Sequence, residues 1–132
     1  MPKHRNKEKG QALVEFAIIL PVLLLILFGI LQFGVTFNNY ISVTAAAREG
    51  ARKASVSRSL GASAATTAAV NAAKANAPSL KQSSIQVTVT PSNNWAAGSD
   101  VTVQVKYPYS INILGKVVSS GYLTSSTTMR LE

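Results

Sequence analysis

The sequence contains no cysteine, which excludes disulfides, thiolate catalysis and Cys-ligated zinc. It has one histidine, His4, and five acidic residues. Past Glu15 the only acids are Glu49, Asp100 and Glu132. Paired carboxylates, a glycine-rich phosphate loop and a metal-ligand cluster are all missing. No catalytic residue, cofactor, metal or small-molecule substrate is therefore expected, although the many serines leave a Ser–Lys dyad open. Charge is also missing from the middle of the first third: none falls between Glu15 and Arg48.

What fills that gap is apolar. Residues 16–31 carry no polar side chain, and Gln32 and Thr36 are the only ones before Asn38. A membrane span needs about 20 mostly apolar residues, so residues 12–37 are long enough, with Phe16, Pro21 and Leu31 inside the span. Pro21 removes a backbone donor, which membrane helices tolerate where neighbours satisfy the freed carbonyl. The chain has 13 Lys and Arg and a net charge of +8. Lys3, Arg5, Lys7 and Lys9 crowd the segment before the apolar run. That placement is the positive-inside pattern, and it argues against nucleic acid as a partner. A single-pass membrane protein is expected, with its N-terminus cytoplasmic and its bulk outside.

The helix is expected to continue past the membrane to about Ser55, with Glu49 and Lys53 as an i,i+4 pair and Gly50 as a weak point. Arg48, Arg52 and Lys53 are candidate contacts to lipid or an acidic partner, against the simpler reading of a solvated helix face. Residues 57–61 read as a break. Residues 62–77 are alanine-dense, with Ser59 as N-cap and Pro78 as stop. From Ser84 the period becomes two: Ile85, Val87 and Val89, then Val101, Val103, Val105 and Tyr107, predict two strands of a hairpin. The second is expected to end at Pro108, and the loop between them carries Trp95. Residues 109–121 are apolar but irregular, and residues 122–131 read as a third strand. The expectation is an α+β chain: a long N-terminal transmembrane helix, a short Ala-rich helix and a small three-stranded antiparallel sheet.

Glu15 is the residue that a plain anchor does not explain. A carboxylate near hydrocarbon costs up to about 3 kcal/mol at the centre of a span and less near its edge, so it calls for a partner. Cleavage after Gly10 supplies one, because the new α-amine on Gln11 is a cation. In a bundle of parallel helices Glu15 of one subunit can pair with Gln11 of the next. Glycine suits the scissile position because its backbone enters a tight site without side-chain clash.

A glycine followed after four residues by Glu and an aromatic, here Gly10, Glu15 and Phe16, resembles the prepilin processing site of type IV pilins. The longer run GQALVEFA, with Leu20-Pro21 and the leucine-rich stretch beyond, resembles the TadE-like family of tight-adherence (Tad, Flp-type) pilus systems. The segment AAREGAR over residues 46–52 is similar to that family's post-membrane segment, and residues 128–132 resemble its C-terminal strand. The resemblance implies a pilin-like structural protein, a minor pilin or pseudopilin. It also implies prepilin peptidase, other pilin subunits, the pilus assembly machinery and the membrane as partners. The expected organisation is a leader (1–10), a transmembrane helix (11–37), a helical stem with the Ala-rich helix (38–77) and a β-rich head (78–132). The alternative is a permanently membrane-anchored extracytoplasmic binding module that never enters a pilus.

Overall fold

The computed structural model describes residues 4–132 and, from Lys7 onward, their side chains. Lys3 lies outside these, as does the side chain of Arg5. Helix α1 spans His4–Val56 without interruption, passing through Pro21. Every large apolar side chain from Leu13 to Phe37 is exposed, a surface far larger than water-soluble monomers present. α1 is also the one helix among the described residues long and apolar enough to cross a membrane.

After Val56 the chain turns back through a 3-10 turn, Arg58–Leu60, and Gly61 at φ 93°. Helix α2, Ala62–Ala75, then runs along α1. Gly61, not Ser59, is the N-cap of α2, and it makes no side-chain cap bond. The positive φ required at this corner explains the exchange, since glycine adopts it without steric penalty. Ala65, Ala69 and Ala73 of α2, with Ala77 beyond it, are fully buried, as are Ala46, Ala47, Ala51 and Ala54 of α1. Small residues four apart on both helices let the backbones approach closely. The Ala-rich helix is thus packed by its smallest residues, and Val70, its only large apolar one, is half-buried.

The sheet is an antiparallel meander in the order β1-β2-β3, with β1 Gln86–Pro91, β2 Asp100–Ile113 and β3 Lys116–Arg130. Val101, Val103 and Val105 of the central strand are fully buried beneath the helices, completing an α+β core with Val43, Leu80, Ile85, Trp95 and Leu131. Trp95, in the loop between β1 and β2, is a core residue. Its loop is closed by Ser92 and Asp100: the Ser92 amide donates to the Asp100 carbonyl at 2.7 Å, and the Asp100 amide donates to Ser92 Oγ at 2.9 Å. At the far edge of the sheet, the Glu132 amide donates to the Ser55 carbonyl at 3.2 Å, tying β3 to the end of α1.

Two strand boundaries differ from expectation. β2 does not stop at Pro108, which pairs with Tyr122 inside the ladder. β1 pairs only as far as Lys106, so beyond that point β2 has one open edge, where proline's missing donor is tolerated. β3 begins at Lys116 rather than Tyr122, and the irregular apolar stretch is the distal half of a long β2–β3 hairpin. Gly121 makes room within it: a Cβ there would sit 3.2 Å from the Tyr109 ring. The two-residue turn is Leu114-Gly115, both at positive φ (51° and 80°).

Candidate functional site

The candidate site is α1 itself, read from its N-terminal end. Gly10 and Gln11 lie within the helix, and a Cβ on Gly10 would meet nothing within 4 Å. Glycine in a helix interior costs about 1 kcal/mol relative to alanine, so this bond sits at a locally weak point of the helix. Glu15 and Phe16 are exposed. Among the described residues the Glu15 carboxylate accepts one hydrogen bond, from Gln11 Nε2 at 3.3 Å, within the same chain. This places residues 11 and 15 on one helix face and leaves the carboxylate open outward.

Further along, α1 has two unlike faces. Gly29, Gln32, Thr36 and Asn39 are half-buried while their neighbours are exposed. They continue, at steps of three and four, the row that includes the buried Val43, Ala46, Gly50 and Ala54. The only two polar side chains of the apolar run therefore lie on the stripe that faces the head and its long hairpin. Thr36 also satisfies its hydroxyl locally, donating to the Gln32 carbonyl at 2.9 Å. The opposite flank is uncovered. Phe33 and Phe37 stack on it with ring centroids 6.1 Å apart. A shallow recess of about 310 Å³ there is lined by Phe37, Tyr40, Ile41, Thr44, Ala45 and Arg48 of α1 alone.

The basic cluster is not a uniform patch. Arg48 and Lys53 are exposed, but Arg52 is engaged by Glu49 through two bonds, Nη2 to Oε1 at 2.6 Å and Nε to Oε2 at 3.0 Å. The partner of Glu49 is Arg52 at i+3, not Lys53 at i+4, because the guanidinium fork matches both carboxylate oxygens. These bonds are the main reason the Glu49 carboxyl is held below the usual range. A small desolvation opposes them, and the charges of Arg52 and Lys53 add to them. The same pairing raises Arg52. A carboxyl with a lowered folded value contributes stability above its ordinary titration range and loses it as pH falls through the lowered value. Glu49→Gln is accordingly expected to lower the melting temperature slightly at neutral pH, as befits an exposed pair, and to converge with the parent below the Glu49 titration range, so that the acid limb of its profile is correspondingly shallower.

Among the described residues no three His, Cys, Asp or Glu side chains come together. What the sequence-based reading missed is Gly50. A Cβ there would lie 3.0 Å from Val103 Cγ1, 3.1 Å from Ala73 Cβ and 3.3 Å from the Ala69 carbonyl oxygen. It is the point where stem, α2 and sheet meet. The signal was present as the row Ala46, Gly50, Ala54 opposite Ala65, Ala69, Ala73, Ala77, each four apart.

No curated protein and no solved structure matches this chain. Residues 10–52 match the family model described as TadE-like protein, from the glycine before the apolar run to Arg52. The match covers the stem and ends before α2 and the sheet. Over that stretch the chain is similar to TadE-like proteins, and the matched segment includes the helix that is long and apolar enough to cross a membrane.

Proposed function

We propose that this protein is a minor pilin or pseudopilin of a Tad-type pilus, held in the inner membrane by α1 until prepilin peptidase cuts between Gly10 and Gln11. The observation that carries the reading is one helix bearing both an open glycine at residue 10 and a lone outward carboxylate at residue 15, inside the segment that matches the TadE-like model. After the cut, the α-amine of Gln11 faces the carboxylates of neighbouring stems. Packing of stems side by side removes the apolar surface of residues 13–37 from solvent once the bilayer no longer covers it. α2 and the sheet stay on one flank of the stem, so the flank from Phe33 to Arg48 is free to receive neighbours. The basic leader, with Lys7 and Lys9, stays on the cytoplasmic side. Arg48 and Lys53 remain exposed for lipid headgroups or acidic subunits.

Intact-mass measurement on membrane-extracted protein tests the first step. Co-expression with a prepilin peptidase is expected to yield a chain that begins at Gln11. An unprocessed chain under those conditions overturns the pilin reading and favours a permanently anchored binding module.

A further inference from the structure

The tip of the β2–β3 hairpin breaks two local rules at once. Leu114 occupies a left-handed position, φ 51°, in a two-residue turn, where Asn, Asp or Gly is favoured and a leucine is strained. It is also 82% exposed, so packing within the chain offsets little of that strain. Val117 and Val118 beside it are exposed too, at 61% and 65%. Lys116, paired with Ile113 across the turn, is the one charge at this end of the hairpin.

The position of the tip supplies the reason. From the level of Gly50 and Val103, which meet in the core, the hairpin runs down the stem for ~36 Å at ~3.3 Å per residue. Over the same length α1 descends ~37 Å at ~1.5 Å per residue to Leu25. The two ends do coincide: Leu114 closes an apolar recess of about 210 Å³ with Pro21, Leu24, Leu25 and Phe28 of α1. The apolar run of 12–37 is longer than the about 20 residues that hydrocarbon requires; counted from the basic leader, those end near Leu31, just before Gln32, so Leu25 lies ~9 Å inside the apolar layer. The tip is level with it.

We propose that the β2–β3 tip, through Leu114, Val117 and Val118, inserts into the near leaflet of a phospholipid bilayer beside the spanning helix. The inference rests on α1 being a membrane span, but not on pilus assembly. The depth is limited on two counts. Beyond Lys106 the open edge of β2 carries unpaired backbone groups, which hydrocarbon does not accept. Lys116 holds its ammonium at the phosphate level while its stem lies along apolar surface. The tip therefore stops ~5–10 Å past the headgroup–acyl boundary, a depth typical of interfacial anchors. Insertion explains why leucine stands where the turn favours asparagine or glycine. It also explains why Gln32 and Thr36 are tolerated: they lie on the stripe facing the part of the hairpin above the tip, at the membrane surface.

The cysteine-free sequence permits a direct test. Full-length Leu114→Cys, Leu24→Cys and Thr128→Cys are each labelled with an environment-sensitive nitrobenzoxadiazole probe. They are then reconstituted in vesicles of phosphatidylcholine and phosphatidylglycerol. The Leu114 probe is expected to be quenched severalfold more strongly by a spin label near the headgroup than by one near the acyl terminus. The Thr128 probe is expected to respond to neither. A Leu114 probe untouched by lipid quenchers while the Leu24 probe is quenched overturns the proposal, and aqueous iodide then tells whether water or a second protein copy covers the tip. A Leu24 probe also untouched sinks the membrane span itself, a different failure. In the Val117→Cys background, where the probe sits beside the turn, Leu114→Asn is expected to keep the hairpin and reduce the lipid quenching. Unchanged quenching there counts against insertion driven by Leu114.

Discussion

Replacing Gly50 by leucine is expected to unseat the head from the stem. Three groups from two elements already stand within 3.0–3.3 Å of where a Cβ would be: Val103 Cγ1, Ala73 Cβ and the Ala69 carbonyl oxygen. The last is backbone and the first two belong to fully buried residues, so none is the free end of a flexible side chain. Overpacking a filled core costs ~1–3 kcal/mol, and more where backbone must move. With its buried side chains mostly alanine and valine, this head has little else to hold it. Alanine at the same position separates two opposing terms. It gains about 1 kcal/mol of helix propensity over glycine, and it meets the same three contacts with a single carbon. A net loss of ~1 kcal/mol is expected for Gly50→Ala, and ~3 kcal/mol or more for Gly50→Leu. Thermal unfolding of the full chain in detergent, followed by the fluorescence of the buried Trp95, reads both. A Gly50→Leu protein that melts with the parent shows that the helix–sheet contact is not tight.

Gly50 also shows where the sequence was legible and where it was not. The apolar run, the alanine helix and the alternating valines each announce an element through a local period, and all three elements exist where those periods place them. Contacts between elements have no such local signature. Gly50 looked like a weak point of a helix because propensity is a property of one segment, while its role is set by Val103 and Ala73. Pro108 looked like a strand end because proline cannot donate to a ladder, and only the start of β1 at Gln86, opposite Lys106, makes that harmless. Residues 109–121 looked irregular because Gly121 interrupts their pattern and Leu114 is foreign to a turn. Arg52 displaced Lys53 as the partner of Glu49 because fork geometry outweighed helical spacing. For the stem the position is reversed. Glu15 stands out in the sequence by its charge against an apolar background. The fold of one chain adds only its open direction, since in the proposed assembly the group that answers it belongs to another molecule.

Removing the Glu15 carboxylate is therefore expected to leave the folded chain, its membrane insertion and its cleavage intact, while filament formation is lost. Among the described residues the only hydrogen bond to that carboxylate is the 3.3 Å contact from Gln11 Nε2, and an exposed contact of that length contributes little to stability. Head packing begins far above it, at Val43, so Glu15→Ala is expected to melt with the parent. In a bundle of cleaved stems the balance changes. In the proposed assembly a carboxylate in an apolar surround sits against the new α-amine of Gln11. Deleting one member of such a desolvated pair leaves the other buried and unpaired, at ~3–5 kcal/mol, which is more than a hundredfold in association per contact. Glu15→Gln distinguishes charge from shape: it keeps the volume and the hydrogen-bonding capacity but not the attraction, and it is expected to fail nearly as completely as alanine. Gly10→Leu provides the complementary failure, an uncleaved chain that never exposes the amine although Glu15 is present. The three variants are compared by intact mass, membrane fractionation and recovery of sheared filaments. Cleaved Glu15→Ala protein in normal filaments overturns the pairing; cleaved Glu15→Ala protein stranded in the membrane, with Gly10→Leu stranded uncleaved, supports it.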